Sequence, residues 1–318
     1  MRINKPDISV VMCVNKCFKN FIEQSVESIL NQTFSNFEFI IVNDGKDNDV
    51  EKVILNYKKK DQRIIYKFTR GIGLTASLNY GISFSNSKYI ARQDYDDISS
   101  LDRLEKQLNF LNQNDQYIFC ASKYQKIDEN SKILSGNSLL NKFIFNRNKF
   151  TKNLIYKNPF VHSSCMFLKS IFYDSGQYNE KFKYSQDYEM WTKMIKLGKF
   201  KLLNERLIKL RIHNNSISTL KNKNQRFYSL IIGLKFLFPQ IEFDLENLNK
   251  DSYIYDLEKK YYSNKNLYNQ IIARKYVYLY DEIKTYKILF YSYKIIFNII
   301  KIYLNRPSYI LHRVLRNL

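Results

Sequence analysis

The sequence predicts an α/β protein: a mostly parallel sheet flanked by helices, with a helical C-terminal extension. Three observations carry that reading. Ile8-Ser-Val-Val-Met-Cys-Val14 and Phe37-Glu-Phe-Ile-Ile-Val42 are short, nearly continuous apolar runs of the kind buried on both faces. The stretch between them carries Phe18, Ile22, Val26, Ile29 and Leu30 at helical spacing. The two periods then keep alternating, as strands joined by crossover helices do.

Taken in order, residues 8–14 form the first strand, 18–32 a helix and 37–42 the second strand, stopped by Asn43-Asp44-Gly45. A charged helix follows to about Lys60, then a strand over Ile64 to Phe68, a helix over 74–84 and a fourth strand over Lys88 to Arg92. Leu101, Leu104, Leu108 and Leu111 mark an amphipathic helix, and Tyr117 to about Lys126 a further strand. The middle third is less regular: a short strand Ser164 to Leu168, a helix over 187–197 with the single Trp, Trp191, and a strand-like run 200–212 ending at Arg211-Ile-His213. From about 222 the pattern is helical. The main domain therefore spans 1–220, with halves of about 1–115 and 116–220, and 221–318 forms the extension.

Composition bounds the function. The chain has 318 residues, 45% of them hydrophobic and 25% charged, which is the balance of a folded protein. Scarce Gly (8) and Pro (4) exclude collagen-like and linker-like readings. The net charge of +21 suggests polyanionic partners, or else a compositional drift towards Lys, Asn, Ile and Tyr. Cys13, Cys17, Cys120 and Cys165 are too scattered for a disulfide framework, and Cys13 and Cys17 lack zinc-site spacing. With no apolar run long enough for a secretory signal or a membrane span, a cytoplasmic protein is expected.

In an open parallel sheet, ligands bind past the carboxyl ends of the strands, so the residues just after each strand matter most. The second strand ends in Asp44-Gly45, a common turn dipeptide whose carboxylate could also accept a hydrogen bond from a base or sugar. The third leads into Arg70-Gly-Ile-Gly73, a loose phosphate-loop likeness in which Arg70 pairs with a phosphate or with a surface acid. The fourth runs into Asp94-Tyr-Asp96-Asp97. Carboxylates this close repel one another unless they are solvated or hold a cation, and Mg²⁺ takes one or two of them with phosphate and water oxygens. Helix-dipole stabilisation ahead of Ile98-Ser99-Ser100 is the competing reading. Asp187, beside aromatics at a helix start, suits either a general base or a cap. His162 and His213 are structural histidines or members of the same edge.

The ordered series ISVVM, FIEQSVESILNQTF, FIIVNDG, GIGLTASLNYGI and YIARQDYDDIS, followed by HSSCMF, QDYEMW and RIH, closely resembles the catalytic domain of glycosyltransferase family 2 over roughly residues 6–215. That resemblance implies a GT-A fold and an inverting, metal-dependent transfer from a nucleoside diphosphate sugar to a glycan or lipid-linked acceptor, as in surface polysaccharide synthesis. It would place Val14, Asp44, Arg70, Gly73 and Asp94 around the nucleotide sugar, with Asp44 on the base, usually uracil. Asp96, Asp97 and His213 would lie at a Mg²⁺ or Mn²⁺ ion, Asp96 foremost. Asp187 would be the catalytic base, with His162 and Trp191 on the acceptor side. The sequence departs from the family at Cys13-Val-Asn-Lys16, where an aromatic usually lines the base pocket; at Arg70, where Asn is common; and at Gln186, where Glu is frequent.

Residues 283–318 carry seven Lys and Arg and no acid. Lys287, Tyr291, Lys294, Asn298, Lys301 and Asn305 form one polar stripe opposite an aliphatic and aromatic face. Such a helix suits an anionic inner-membrane surface, or packs its apolar face on the main domain. Two rival functions fit less. A sugar nucleotidyltransferase would need a Gly- and Lys/Arg-rich segment after the first strand, where Asn15-Lys-Cys-Phe18 stands. A nucleic-acid binder would leave the acidic cluster unexplained, so no nucleic-acid partner is expected.

Overall fold

The computed structural model describes residues 5–45, 47–134, 158–214, 216, 222–237 and 239. The chain divides between Lys221 and Asn222. The first unit contains β1 (Ile8–Val14), α1 (Lys19–Leu30), β2 (Phe37–Asn43), α2 (Asn48–Lys60), β3 (Ile64–Phe68), α3 (Leu74–Ser83), β4 (Tyr89–Gln93), β5 (Ile98–Ser99), α4 (Arg103–Gln113) and β6 (Tyr117–Ile127). A 3₁₀ turn, His162–Ser164, then leads to β7 (Cys165–Leu168), α5 (Lys169–Asp174), α6 (Gln186–Met194) and β8 (Lys199–Arg211). In the second unit the described helix is α7 (Asn222–Leu237). The basic stripe expected over 283–318 lies outside the described residues.

One sheet of eight strands organises the first unit, in the order β3-β2-β1-β4-β7-β6-β8-β5. Strands β3, β2, β1 and β4 run parallel to one another, with Val14 opposite Asn43 and Met12 opposite Gln93. Strand β7 runs antiparallel to both β4 and β6, β6 and β8 are parallel, and β5 closes the edge antiparallel to β8. Every residue of β1, β2 and β4 is buried, which is why these strands read as unbroken apolar runs.

Alternation within those strands divides the core. Val10, Met12, Phe39 and Ile41 cluster with Ile22, Val26 and Ile29 of α1. On the other face, a Cβ placed on Gly81 of α3 would meet Val42 at 2.8 Å and Val11 at 3.1 Å, so glycine lets that helix approach the sheet. Helix α2 is set by its ends: Asp47 caps it by accepting from the N–H groups of Asp49 and Val50, Asp49 and Glu51 occupy the first turn, and Lys58, Lys59 and Lys60 the last.

The structure differs from expectation after β4. Residues Ile98-Ser99 do not open a helix; they form a two-residue strand against Lys209 and Ile208 of β8, and α4 begins only at Arg103. The acids at 94–97 therefore sit in a strand-to-strand connection, and the helix-dipole reading of that cluster falls away. Strand β6 shifts register against β8 around Ser122 and Lys123, a bulge that bends the sheet there.

Candidate functional site

Chain order reverses beside β1. From β1 the chain steps outward to β2 and β3, then returns to β4 on the opposite side. The crevice past the carboxyl ends of β1 and β4 is thus the switch point at which open α/β sheets bind ligands. Asn15, Asp44, the 69–73 loop and Asp94 all fall there.

Asp44 is 3% exposed and acts as a latch. Its Oδ1 accepts from the Thr69 hydroxyl at 2.7 Å, Gly71 N–H at 2.9 Å and Ile72 N–H at 2.8 Å; its Oδ2 accepts from Gly73 N–H at 2.8 Å. One carboxylate thereby fixes the whole glycine loop, with Gly71 and Gly73 at φ of 79° and 90°, a backbone that glycine adopts without steric cost. Val14 is buried, and its carbonyl accepts the Asp44 N–H at 2.7 Å. A Cβ on Gly45 would lie 2.2 Å from the Asn15 carbonyl oxygen. The Asp-Gly pair is thus a close approach between two strand ends as well as a turn. Arg70 stands exposed on the loop the latch holds.

Each acid of the 94–97 cluster has its own partner. Asp94 Oδ1 accepts from Arg92 Nη2 at 2.5 Å, and its side chain remains 33% exposed. Asp96 Oδ2 lies 2.9 Å from His213 Nε2. Asp97 is 1% exposed, its Oδ2 accepting from the Ser163 hydroxyl and its Oδ1 from Arg211 N–H at 2.9 Å. Burial, together with the charges of Asp96 and Asp94, pushes the Asp97 carboxyl well above its usual range. Asp97 is accordingly an interior brace, in contrast to its expected place beside an ion; Asp96 is the half-buried member of that pair. His213 is itself buried, with the Phe21 ring 5.3 Å and the Phe18 ring 6.3 Å away.

Beneath the acids run two buried guanidinium groups that the sequence reading passed over. Arg92 donates to the carbonyls of Val11 and Gln93 and to Asp94, and its Nε to His162 Nε2 at 3.3 Å. Arg103 donates to Gln107, Gln93, Ser99 and the Arg92 carbonyl. Alone, a buried Arg is costly; here every guanidinium nitrogen of both residues has an oxygen or a ring nitrogen as partner. The available signal was an Arg inside an otherwise apolar strand (YIARQ), which burial makes expensive unless it serves a site.

Asp187, in the first turn of α6, is half-buried. Its Oδ2 accepts from Asn158 Nδ2 at 2.5 Å, and the Asn158 Oδ1 accepts Phe160 N–H at 3.1 Å, which settles which way that amide points. Burial raises the Asp187 carboxyl to about 6, against the lowering effect of the Tyr188 N–H and Asn158; the charge of Asp94 adds to the rise. The helix cap is Ser185, in left-handed conformation (φ 57°), so the capping alternative for Asp187 lapses. Asn158 was not singled out from sequence.

His162 is half-buried, and its Nε2 takes both Arg92 and the Tyr178 hydroxyl. It is tied through Arg92 to Asp94. Trp191 has no exposed surface: it packs on Phe119 at 4.8 Å, Phe167 at 5.8 Å and His162 at 5.8 Å. It supports the site from below and presents no wall to an acceptor, in contrast to the sequence expectation.

Fold and site together define an α/β enzyme of the GT-A type, with an acid-lined crevice at the β1/β4 switch point and a raised-pKa carboxylate nearby. Residues 9–176 match the model of glycosyl transferase family 2. An uncharacterised glycosyltransferase of Methanocaldococcus jannaschii is 36% identical over 71% of this chain and 78% of its own length. The O-antigen biosynthesis glycosyltransferase WbnJ of Escherichia coli is 35% identical over 66% of this chain and 81% of its own. The chain belongs to glycosyltransferase family 2. Among solved structures, Staphylococcus aureus TarS (residues 1–349) superposes with a TM-score of 0.54 at 15% identity, covering 85% of this chain and 72% of that one. Its complex with UDP-GlcNAc gives 0.57 at 11% identity, covering 86% and 81%.

Proposed function

We propose that this enzyme transfers a sugar, with inversion, from a UDP-sugar to a hydroxyl of a glycan or lipid-linked acceptor in surface polysaccharide synthesis, the sugar being a hexose or N-acetylhexosamine. The observation that carries the reading is Asp187: a half-buried carboxylate raised to about 6, fixed by Asn158 and within electrostatic reach of Asp94. A base poised near neutrality suits removal of a hydroxyl proton as that oxygen attacks the anomeric carbon from the face opposite the leaving nucleotide. The TarS complexes with UDP and with UDP-GlcNAc, and the O-antigen role in the name of WbnJ, support the donor and the pathway by likeness.

In this mechanism the loop held by Asp44 presents Arg70 and the Gly71–Gly73 backbone to the nucleotide, and any base contact of Asp44 is left to Oδ2, which carries one protein bond against three on Oδ1. Asp94 bonds the sugar or ribose side through the oxygen not taken by Arg92. Among the described residues no three His, Cys, Asp or Glu converge on a metal position. Asp96 and, beside it, His213 would be the residues to hold a Mg²⁺ or Mn²⁺ ion, a hard cation that takes one or two protein carboxylates and otherwise relies on phosphate and water oxygens. When bound, it offsets charge on the leaving diphosphate.

Peripheral attachment to the inner membrane surface through the basic segment 283–318 completes the proposal. No helix among the described residues is long and apolar enough to cross a membrane. Nucleotide release from a panel of sugar nucleotides, with and without Mn²⁺, tests the reading; release from none of them in the presence of acceptor glycolipids overturns it. Flotation with anionic liposomes of the full chain and of a chain ending at 282 tests the attachment, which fails if both float alike.

A further inference from the structure

The hydrogen-bonding state of His162 is settled by its neighbours. An arginine Nε–H can only donate, so the imidazole nitrogen facing it must present a lone pair. Arg92 Nε points at His162 Nε2 across 3.3 Å. The Tyr178 hydroxyl, 2.8 Å from that nitrogen, is thereby also turned into a donor. A neutral imidazole carries one N–H, so the proton sits on Nδ1. Among the described residues no group is bonded to Nδ1, and the residue is half-buried, not sealed.

Arg92, fully buried, makes the connection to the donor side. Its other contacts are the carbonyls of Val11 and Gln93 and the carboxylate of Asp94. The guanidinium thus holds Asp94 and the imidazole in one rigid arrangement at the end of β4, with Trp191 packed against the ring at 5.8 Å.

We propose that His162 is a binding residue for the donor: a neutral imidazole locked as the Nδ1–H tautomer by Arg92 and Tyr178, which donates one hydrogen bond to an oxygen of the nucleotide sugar. Arg92 and Tyr178 are its positioning residues. The inference rests on the transferase reading and adds to it the identity of the donor atom and the chemistry of what it meets, an electron-pair-bearing oxygen of a sugar or a diphosphate. Burial and the Arg92 charge hold the imidazole well below its ordinary pKa, in keeping with a ring that stays neutral while it works. An imidazolium would bring a second positive charge against a guanidinium that has no water to screen it.

The chain has three histidines, so the test is direct. Long-range ¹H–¹⁵N spectra of the ¹⁵N-labelled full-length protein, with His162→Gln for assignment, report the tautomer and charge of each ring. The expected result is a neutral Nδ1–H ring from about pH 5.5 to 8, the span that covers an ordinary histidine titration. Tyr178→Phe should keep that tautomer, because Arg92 remains. An Nε2–H ring, a titration inside that range, or mixed tautomers in Tyr178→Phe overturns the lock. UDP and UDP-GlcNAc are then added separately. A shift of Nδ1 with UDP assigns the diphosphate oxygens, and a shift with UDP-GlcNAc alone assigns the sugar. Binding of either, seen by calorimetry, without an Nδ1 shift overturns the contact while leaving the transferase reading intact. Binding of neither defeats both. His162→Asn, whose amide can stand near the Nδ1 position, should retain about five-fold more UDP-GlcNAc affinity than His162→Gln, the equivalent of roughly one neutral hydrogen bond.

Discussion

Removing the Asn158 amide should move the acid limb of the enzyme's pH profile upwards. Asn158 Nδ2 donates to Asp187 Oδ2 at 2.5 Å, and Asp187 stands at about 6 with this bond already counted among the influences that lower it. A hydrogen bond to a charged group contributes about 1.5–3 kcal/mol, and each pKa unit corresponds to about 1.36 kcal/mol. The site is half-buried and water can replace part of the lost bond, so a rise of about one unit is the expectation for Asn158→Ala. The sign follows from the charge: the bond favours the carboxylate, its loss favours the acid, and a base works only when deprotonated. With a pKa moving from about 6 to about 7, the ionised fraction at pH 6 drops from about one half to about one tenth, and at pH 8 it changes by less than about one tenth. Therefore kcat/KM should fall about five-fold at pH 6 and stay nearly constant at pH 8. Initial rates of transfer between pH 5 and 9, with circular dichroism at each pH to confirm folding, measure it. An equal loss at every pH would make Asn158 a mere scaffold. A limb that moves downwards would refute the assignment of Asp187 as the base.

The other expectations follow the same site. Asp187→Asn should bind UDP with unchanged affinity by calorimetry yet lose about 10²–10⁴-fold in transfer, the usual worth of a general base; a variant with wild-type turnover would sink that role. Asp44→Ala releases the hydroxyl of Thr69 and the N–H groups of Gly71, Ile72 and Gly73. It should weaken UDP binding at least ten-fold and lower thermal stability by about 1–3 kcal/mol, the cost of stranded buried polar groups. Gly45→Ala drives a methyl group to 2.2 Å from the Asn15 carbonyl and should cost a similar amount, about 1–3 kcal/mol, in chemical denaturation.

How much of this was legible in the sequence depends on whether a residue's role is set by its own element or by a distant one. Strands β1 and β2 were readable because burial on both faces leaves no room for polar alternation. Strand β5 was not: Ile98-Ser99 becomes a strand only because Lys209 and Ile208, more than a hundred residues later, offer it an edge. The same division runs through the site. The positions of Asp44, Asp94 and Asp187 follow from where strands and helices begin and end. That Asp97 turns inward depends on Ser163 and Arg211, and that Trp191 is sealed depends on Phe119 and Phe167. Local periodicity carries no information about those partners. Arg92 shows the converse, since an unpaired charge in a buried strand is expensive enough to have announced a partner, though not which one.

The partners of the acidic cluster also decide what a divalent ion would do to this protein. Three carboxylates within residues 94–97 would ordinarily strain the chain unless a cation drew them together. Here Asp94 rests on Arg92, Asp96 on His213, and Asp97 on Ser163 and the Arg211 backbone. Each acid has its own protein partners, which offset part of the repulsion without an ion, although the charges of Asp94 and Asp96 still raise the Asp97 carboxyl. An ion on Asp96 would also lack a third protein ligand among the described residues, and would be held firmly only when a diphosphate supplies further oxygens. Ligand binding stabilises by RT ln(1 + [L]/Kd), which is small for a weak site and grows once the nucleotide completes it. Chelation should therefore abolish transfer, with Mn²⁺ or Mg²⁺ restoring it, yet leave the melting temperature of the nucleotide-free enzyme within about 1 °C. In the presence of UDP the same chelation should lower it by several degrees, about 1 kcal/mol being worth roughly 2–4 °C in a protein of this size. A large drop on chelation without nucleotide would mean that the ion holds the acids together after all, and that the arginine and histidine contacts are secondary to it.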